Sequence, residues 1–389
     1  MNKFVRFSLV GCLMLLSTVC TLNIPSGISV NAETEYTSKA YCLMEYGTGQ
    51  VLKDKNADKM LPIASVTKTM TLLLAFEALD NGTLTMDKIL MASANASGMG
   101  GSQVFIDANS EYSVKDLLTA IVISSANDAS VVIAEELGGS EEGFVNLMNK
   151  RASELGMQNT NYVNCTGLPA NNHYSTARDV AVVMRALLKH QEYFTLSGIW
   201  MQDFVHPSGR ITEMANTNKL IRNYRGCDAG KTGSTNEAGY CLSASAKRND
   251  MRLISVVLGA DNSKIRFSEC SSLFDWGFAN FESKCLVNSE ADMETLAPIK
   301  KASIKEINAK PARDYWDLVV KGAKSNKVVN YEYDNASAPI NKGDRVGQVV
   351  ITENGVVLDS IELLADTNVN ARNYGESFDE VLNNWKIKK

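Results

Sequence analysis

Ile63-Ala64-Ser65-Val66-Thr67-Lys68-Thr69-Met70-Thr71 is the stretch on which the reading of this 389-residue chain turns. Apolar residues continue at helical spacing through Leu72, Leu73, Leu74, Phe76 and Leu79 until Asn81-Gly82 stops them, which predicts a helix with Ser65 at its N-terminus. Residues three apart share a helix face, so the Lys68 amine lies one turn from the Ser65 oxygen. A serine hydroxyl is a poor nucleophile until a neighbouring base takes its proton. A lysine is such a base only when neutral, so its ordinary pKa of about 10.4 has to be lowered by burial or by another cation. By itself a Ser-x-x-Lys is weak, although this is the only one in the chain.

Two further segments complete the pattern. Lys231-Thr232-Gly233 offers the second cation, able to depress Lys68 and to attract an anionic substrate, and Ser125-Ala126-Asn127 offers a hydroxyl relay and an amide that can hold a substrate amide. The tripeptide Ser93-Ala94-Asn95 repeats the second segment, but Ala96-Ser97-Gly98-Met99-Gly100-Gly101-Ser102 after it reads as a flexible loop. Ser125 lies between two predicted helices, one starting at Ser113 with a capping-box pattern and ending near Ile123, the other running from about Asn127 to Leu137. Rigid supports suit catalysis, so Ser125 is assigned to the set.

Working outward, Ala40 to Tyr46 and Val51-Leu52 read as a hairpin around Gly47-Thr48-Gly49, and Tyr240–Ala246 and Leu253–Leu258 read as strands before a helix from about Lys264 to Phe281. Further helices are expected at Glu141–Leu155 and Thr176–His190. Strands at both ends of a helical middle imply one sheet completed by distant segments, an α+β arrangement. After Cys285 the pattern changes to short strands, with Asn354-Gly355 between apolar runs as a hairpin turn. The expected division is 33–284 for the main domain, 285–372 for a small all-β domain, and 373–389 for an amphipathic tail with Phe378, Val381, Leu382 and Trp385 on one face and lysines at its end. Such a tail suits peripheral membrane contact and packing on its own domain equally.

Lys3 and Arg6 precede an apolar run from Phe7 to about Leu22, and Val30-Asn31-Ala32 offers a cleavage site, so 1–32 reads as an export signal. Leu9-Val10-Gly11-Cys12 resembles a lipoprotein box but sits ahead of most of the apolar run, which favours ordinary cleavage. Loss of those two cations takes the net charge from -5 to -7, and no Lys/Arg-dense face suggests nucleic acid. Of eight cysteines, six remain after cleavage, none in a CxxC pair, so no metal or cofactor is expected. Three histidines, no Gly-x-Ser-x-Gly and no His-Glu-x-x-His leave a Ser-His-Asp hydrolase or a zincin without support. His173 is expected to support the fold rather than to transfer protons.

The chain resembles the D-alanyl-D-alanine carboxypeptidases among the low-molecular-mass penicillin-binding proteins. The resemblance is carried by Ile63 to Thr71, Ser125-Ala126-Asn127-Asp128-Ala129, His173-Tyr174-Ser175-Thr176-Ala177-Arg178-Asp179, Lys231-Thr232-Gly233-Ser234-Thr235 and Ala238-Gly239-Tyr240. It implies a penicillin-binding/β-lactamase-like transpeptidase fold, an antiparallel sheet flanked by helices with a helical subdomain, followed by a β-rich stalk. It also implies removal of the terminal D-Ala from peptidoglycan stem pentapeptides outside the cytoplasmic membrane, with penicillins and other β-lactam antibiotics as acylating ligands. Ser65 would be the nucleophile, Lys68 the base, Ser125 the relay, and Asn127, Lys231, Thr232 and Gly233 the substrate cradle. The N–H groups of Ser65 and Ser234 would form the oxyanion hole, and Arg266 would help hold the terminal carboxylate. Cys227 and Cys241 flank the third motif outside the family pattern, and a bridge between them is expected to stiffen that strand. The competing readings are a class A β-lactamase, an endopeptidase or transpeptidase acting on cross-links, and a penicillin-binding scaffold without turnover.

Overall fold

The computed structural model describes residues 36–290, 296–375 and 378. The export segment and most of the tail lie outside them. Five antiparallel strands form the central sheet in the order Val51–Lys55, Ala40–Glu45, Met251–Ala260, Gly239–Arg248, Cys227–Thr235. The first strand of the chain thus pairs with one more than two hundred residues later, with Ala40 opposite Leu258. Side chains alternate between faces. Leu43, Leu242, Leu253 and Val257 pack against Cys270, Leu273, Phe274 and Phe278 of the helix Ser263–Asn280. Cys42, Met44, Ile254, Val256 and Leu258 belong to the larger core on the opposite side, with Leu73, Phe76, Val180 and Met184 of the helical region. Covering both faces explains why Leu253–Leu258 is apolar without interruption.

The hairpin at Gly47 is closed by the buried Glu45 carboxylate, which accepts the N–H groups of Gly47 and Thr48 at 2.9 and 2.7 Å. Helix starts follow the capping side chains: Ser113 accepts the Asp116 N–H, Thr176 that of Asp179, and Asn262 that of Ile265, each at 3.0 or 3.1 Å. The region around Ser65 departs from a simple helix start. Ala64–Thr67 is a 3-10 turn and the α-helix proper runs Lys68–Asp80, because Ala64 is left-handed (φ 47°) and the turn is pressed between two glycine backbones described below. Ser93 caps a short helix, Ala94–Ser97, by accepting the Ala96 N–H, so the stretch read as a loop is helical over Ala96 and Ser97 and irregular only from Gly98 to Ser102.

The expected Cys227–Cys241 bridge is absent. All six described cysteines are free thiols. In the register of the two strands Cys227 faces the position of Ala246, while Cys241 faces Gly233. Five residues of strand, about 16 Å, separate Cys241 from the point opposite Cys227, far beyond disulfide reach.

From Phe281 the chain forms a second set of sheets. Phe281–Val287 pairs with Tyr315–Val320, and Ala309–Pro311, Val356–Ala365, Arg345–Glu353 and Lys327–Tyr333 make a four-stranded sheet in that order. Asn354 and Gly355 turn its central hairpin with φ of 52° and 81°, both left-handed as a type I′ turn requires. Val287, Ile299, Val349, Ile351, Ile361 and Leu363 form its separate core.

Candidate active site

The Lys68 side chain is buried to 0% exposure, beneath a half-buried Ser65. Its amine lies 3.0 Å from Ser65 Oγ, 2.6 Å from Asn127 Oδ1 and 2.6 Å from the Thr166 carbonyl. The last two partners can only accept, so they consume two N–H bonds. What remains on nitrogen points at the serine hydroxyl, the one partner able to donate. Burial lowers the Lys68 pKa to about 7. The charge of Asp128, next to the second motif, offsets only part of that effect, and its carboxylate accepts the N–H groups of Val104, Ile106 and Ala129.

Ser125 and Asn127 project from the junction of the helices Val114–Ile123 and Asn127–Gly138. The junction is sharp: Ser125 has φ 64°, a left-handed conformation that costs a residue carrying a Cβ about 1 kcal/mol. Such strain is tolerated where the surroundings fix it. Asn127 is fixed from both ends, its backbone N–H on the Ser102 carbonyl at 2.7 Å and Nδ2 on the Gly100 carbonyl at 2.6 Å, which turns Oδ1 toward Lys68. A Cβ on Gly101 would lie 2.8 Å from Asn127 Nδ2, so that loop approaches only as glycine.

Lys231 is fully buried on the edge strand Cys227–Thr235, and its amine donates to Ser125 Oγ at 2.8 Å and to the Thr232 carbonyl at 3.1 Å. Its pKa is held well below the ordinary lysine value, chiefly by burial and further by the positive charges of Lys68 and Arg266. This strand pairs on one side only, so its free backbone edge faces the cleft as a template for an extended peptide. Gly233 brings the edge over Ser65: a Cβ there would stand 2.7 Å from the Ser65 nitrogen and 2.9 Å from that of Val66. Gly167 closes in from the other side, where a Cβ would lie 2.0 Å from the Ala64 carbonyl. Thr232 Oγ1 bonds Thr217 Oγ1 at 2.7 Å, and Thr217 is tied to the Ile123 carbonyl at the end of the helix preceding Ser125.

Ser65, Lys68, Ser125, Asn127, Lys231, Thr232 and Gly233 are therefore joined by direct contacts. Ser234 follows on the edge strand, exposed and opposite Tyr240. Arg266 stands behind that strand, its Nη1 donating to the carbonyls of Gly233 and Cys241 at 3.0 and 3.2 Å, where it braces the strand and adds positive charge. His173 accepts the Val163 N–H on Nδ1, which leaves the ring proton on Nε2 for Thr67 Oγ1 at 2.8 Å, and burial pushes its pKa down to about 4. It ties a loop to the turn that carries Ser65 as a neutral group. Sequence reasoning missed the Thr166 carbonyl, Thr217 and the clamp from Gly100 to Ser102. Backbone acceptors carry no residue-type signal, and only the glycines at 100, 101 and 167 hint at close approach.

Comparison with known proteins identifies the family. Residues 28–262 match the family model for D-alanyl-D-alanine carboxypeptidases, and 281–371 that for the C-terminal domain of penicillin-binding protein 5. The chain is 38% identical over 356 residues to the D-alanyl-D-alanine carboxypeptidase DacF of Bacillus subtilis, covering 91% of each. It is 34% identical to DacC of Escherichia coli, over 85% of this chain and 84% of that protein. The crystal structure of penicillin binding protein 5 from Haemophilus influenzae superposes with a TM-score of 0.68 at 31% identity, covering 88% of this chain and all of that one. With two family models end to end and full-length relatives above 30% identity, this chain belongs to the D-alanyl-D-alanine carboxypeptidase family of serine peptidases, the S11 peptidases.

Proposed function

We propose that this protein removes the terminal D-alanine from peptidoglycan stem pentapeptides through an acyl-enzyme on Ser65, at the outer face of the cytoplasmic membrane, and that β-lactams acylate the same oxygen. The observation that carries the reading is the Lys68 amine, with two bonds to pure acceptors and its remaining valence on Ser65 Oγ. Lys68 accepts the Ser65 proton as Oγ attacks the carbonyl of the penultimate D-alanine. The developing oxyanion is met by the N–H groups of Ser65 and Ser234, in the gap that Gly233 leaves open. The Ser125 hydroxyl, bonded to Lys231, passes a proton to the departing D-alanine nitrogen and is refilled by the proton that Lys68 took from Ser65, which leaves Lys68 neutral again. Lys231 and Arg266 supply positive potential for its terminal carboxylate. Water then attacks the ester as Lys68 accepts its proton, and Lys68 returns that proton to Ser65 Oγ when the ester C–O bond breaks, which regenerates the hydroxyl and the neutral amine.

Among the described residues no carboxylate bonds Ser65 or Lys68; besides Ser65 Oγ, the Lys68 amine meets the Asn127 side-chain oxygen and the Thr166 backbone carbonyl. That supports slow release of a penicilloyl adduct over β-lactamase behaviour. The test is mass spectrometry of the mature protein incubated with benzylpenicillin and, separately, with an acyl-D-Ala-D-Ala peptide. A long-lived adduct on the Ser65 peptide together with free D-alanine is expected. Rapid penicillin hydrolysis without an adduct would overturn the reading in favour of a β-lactamase. Persistence of the adduct in Ser65→Ala would show that the nucleophile is another residue.

A further inference from the structure

The free edge of Cys227–Thr235 carries its charges unevenly. Lys231 and, behind Gly233, Arg266 make one end cationic. Beyond Ser234 the strand ends in a short turn to Gly239, fixed by Thr235 Oγ1, which accepts the Ala238 N–H at 3.0 Å. That turn puts the exposed Glu237 at the opposite end, and among the described residues its carboxylate has no hydrogen bond or ion pair.

Glu237 borders a narrow hollow of about 30 Å³ directly beside Ser65 and Ser234, since Ala64 and Thr235 both line it. Pro62, Leu168 and Pro169 supply apolar walls, and Glu237 is the only acidic or basic side chain in the lining besides His173. His173 is neutral, because burial pushes its pKa down to about 4, so it does not repel a cation. The facing wall is as fixed as the turn. Asn164 Oδ1 accepts the Gly167 N–H at 2.7 Å, Asn164 Nδ2 donates to the Leu168 carbonyl at 2.9 Å, and the same loop carries the Thr166 carbonyl that meets Lys68. A cavity of that size holds one group as large as a water molecule, and an ammonium is such a compact group.

We propose that this hollow receives the side chain of the residue that precedes the penultimate D-alanine, and that Glu237 selects an aliphatic side chain ending in a free primary amine. The inference rests on the acyl-transfer reading above. With the D-alanyl carbonyl at Ser65 and the terminal carboxylate toward Lys231 and Arg266, a peptide laid antiparallel on the free edge runs with its N-terminal side toward Thr235. The preceding residue lies about 3.4 Å further along. A four-carbon stem from there crosses the apolar walls and brings its ammonium to the Glu237 carboxylate. The substrate thus meets cations at its carboxylate and an anion at its amine, and the same field orients it end to end. Acylation of that amine removes the charge and adds bulk the hollow does not admit, so the enzyme distinguishes stem peptides with a free side-chain amine from those already acylated there.

The test compares D-alanine release from acyl-lysyl-D-Ala-D-Ala, its Nε-acetyl form and acyl-norleucyl-D-Ala-D-Ala by the mature chain and by Glu237→Gln and Glu237→Lys. The readout is the ratio of kcat/KM between peptides within each enzyme, which a loss of folded protein leaves unchanged. The wild type is expected to favour the lysyl peptide about fivefold over both others, the scale of one ion pair at an exposed carboxylate, with the advantage shrinking as salt rises. The advantage over norleucine is expected to disappear in Glu237→Gln and to invert in Glu237→Lys. Equal rates on the three peptides in the wild type, or a lysyl preference that survives Glu237→Gln, would overturn the proposal and leave the acyl-transfer reading standing. D-Alanine release from none of the three would overturn the acyl-transfer reading itself, and the role of Glu237 with it.

Discussion

At the residue scale, function comes down to how many protons Lys68 carries. The unfolded chain holds its proton up to about pH 10.4, whereas the folded site releases it above about 7. Between those values the unfolded state binds more protons, so this residue makes stability rise with pH. With the neutral amine as the proposed base, the rate of Ser65 acylation by penicillin, followed by stopped-flow, should climb through pH 7 and level off above it. Lys68→Arg, which stays charged, should lose about 10³-fold or more of that rate at every pH, and a variant that kept the wild-type profile would remove Lys68 from the base role. Gly233 makes a different prediction, since its absent side chain is what leaves the Ser65 N–H accessible. Gly233→Ala should cut acylation by about 10²- to 10³-fold, the usual cost of one lost oxyanion donor. Far-ultraviolet circular dichroism of that variant should match the wild type.

At the scale of elements, the helix junction at Ser125 stores strain to aim a hydroxyl. Ser125→Ala and Ser125→Gly both delete the contact to Lys231, but only glycine accepts φ 64° without penalty. The glycine variant should therefore unfold about 1 kcal/mol later than the alanine variant in urea, with D-alanine release reduced in both. Equal stabilities would mean the backbone relaxes out of the left-handed region when the contact goes. This junction also marks how far the chain can be read unaided. The helices flanking Ser125, the caps at Ser113 and Thr176, and the Asn354-Gly355 hairpin rest on local rules, and all stand in the fold. The order of the sheet does not, because pairing Ala40 with Leu258 is a choice among distant partners. Nor does flanking the third motif bring Cys227 and Cys241 together: the antiparallel register carries the two thiols apart. Thiol titration of the unfolded mature protein should accordingly count six.

At the scale of the whole molecule, the same sheet order separates support from chemistry. The cleft lies along Cys227–Thr235 at one edge, whereas the hairpin that meets the β domain joins the two strands at the other, about 19 Å away across four strand spacings. There Gly47 faces the ring of Trp316, with a Cβ position only 2.7 Å from the Trp316 Cγ, and Arg185 bonds the carbonyls of Tyr46 and Gly47 at 2.6 and 2.7 Å. A joint packed this closely leaves no room for one methyl group, so Gly47→Ala must displace the indole or part the two domains. Overpacking of this kind costs about 1–3 kcal/mol. Because the joint and the cleft sit on opposite edges, the loss should appear in thermal unfolding while penicillin acylation stays within about twofold of wild type. Trp316→Ala, which removes the contact without crowding it, should destabilise as well and spare acylation in the same way. If either substitution instead slowed acylation as severely as Lys68→Arg, the β domain would be a working part of the catalytic sheet rather than its mount.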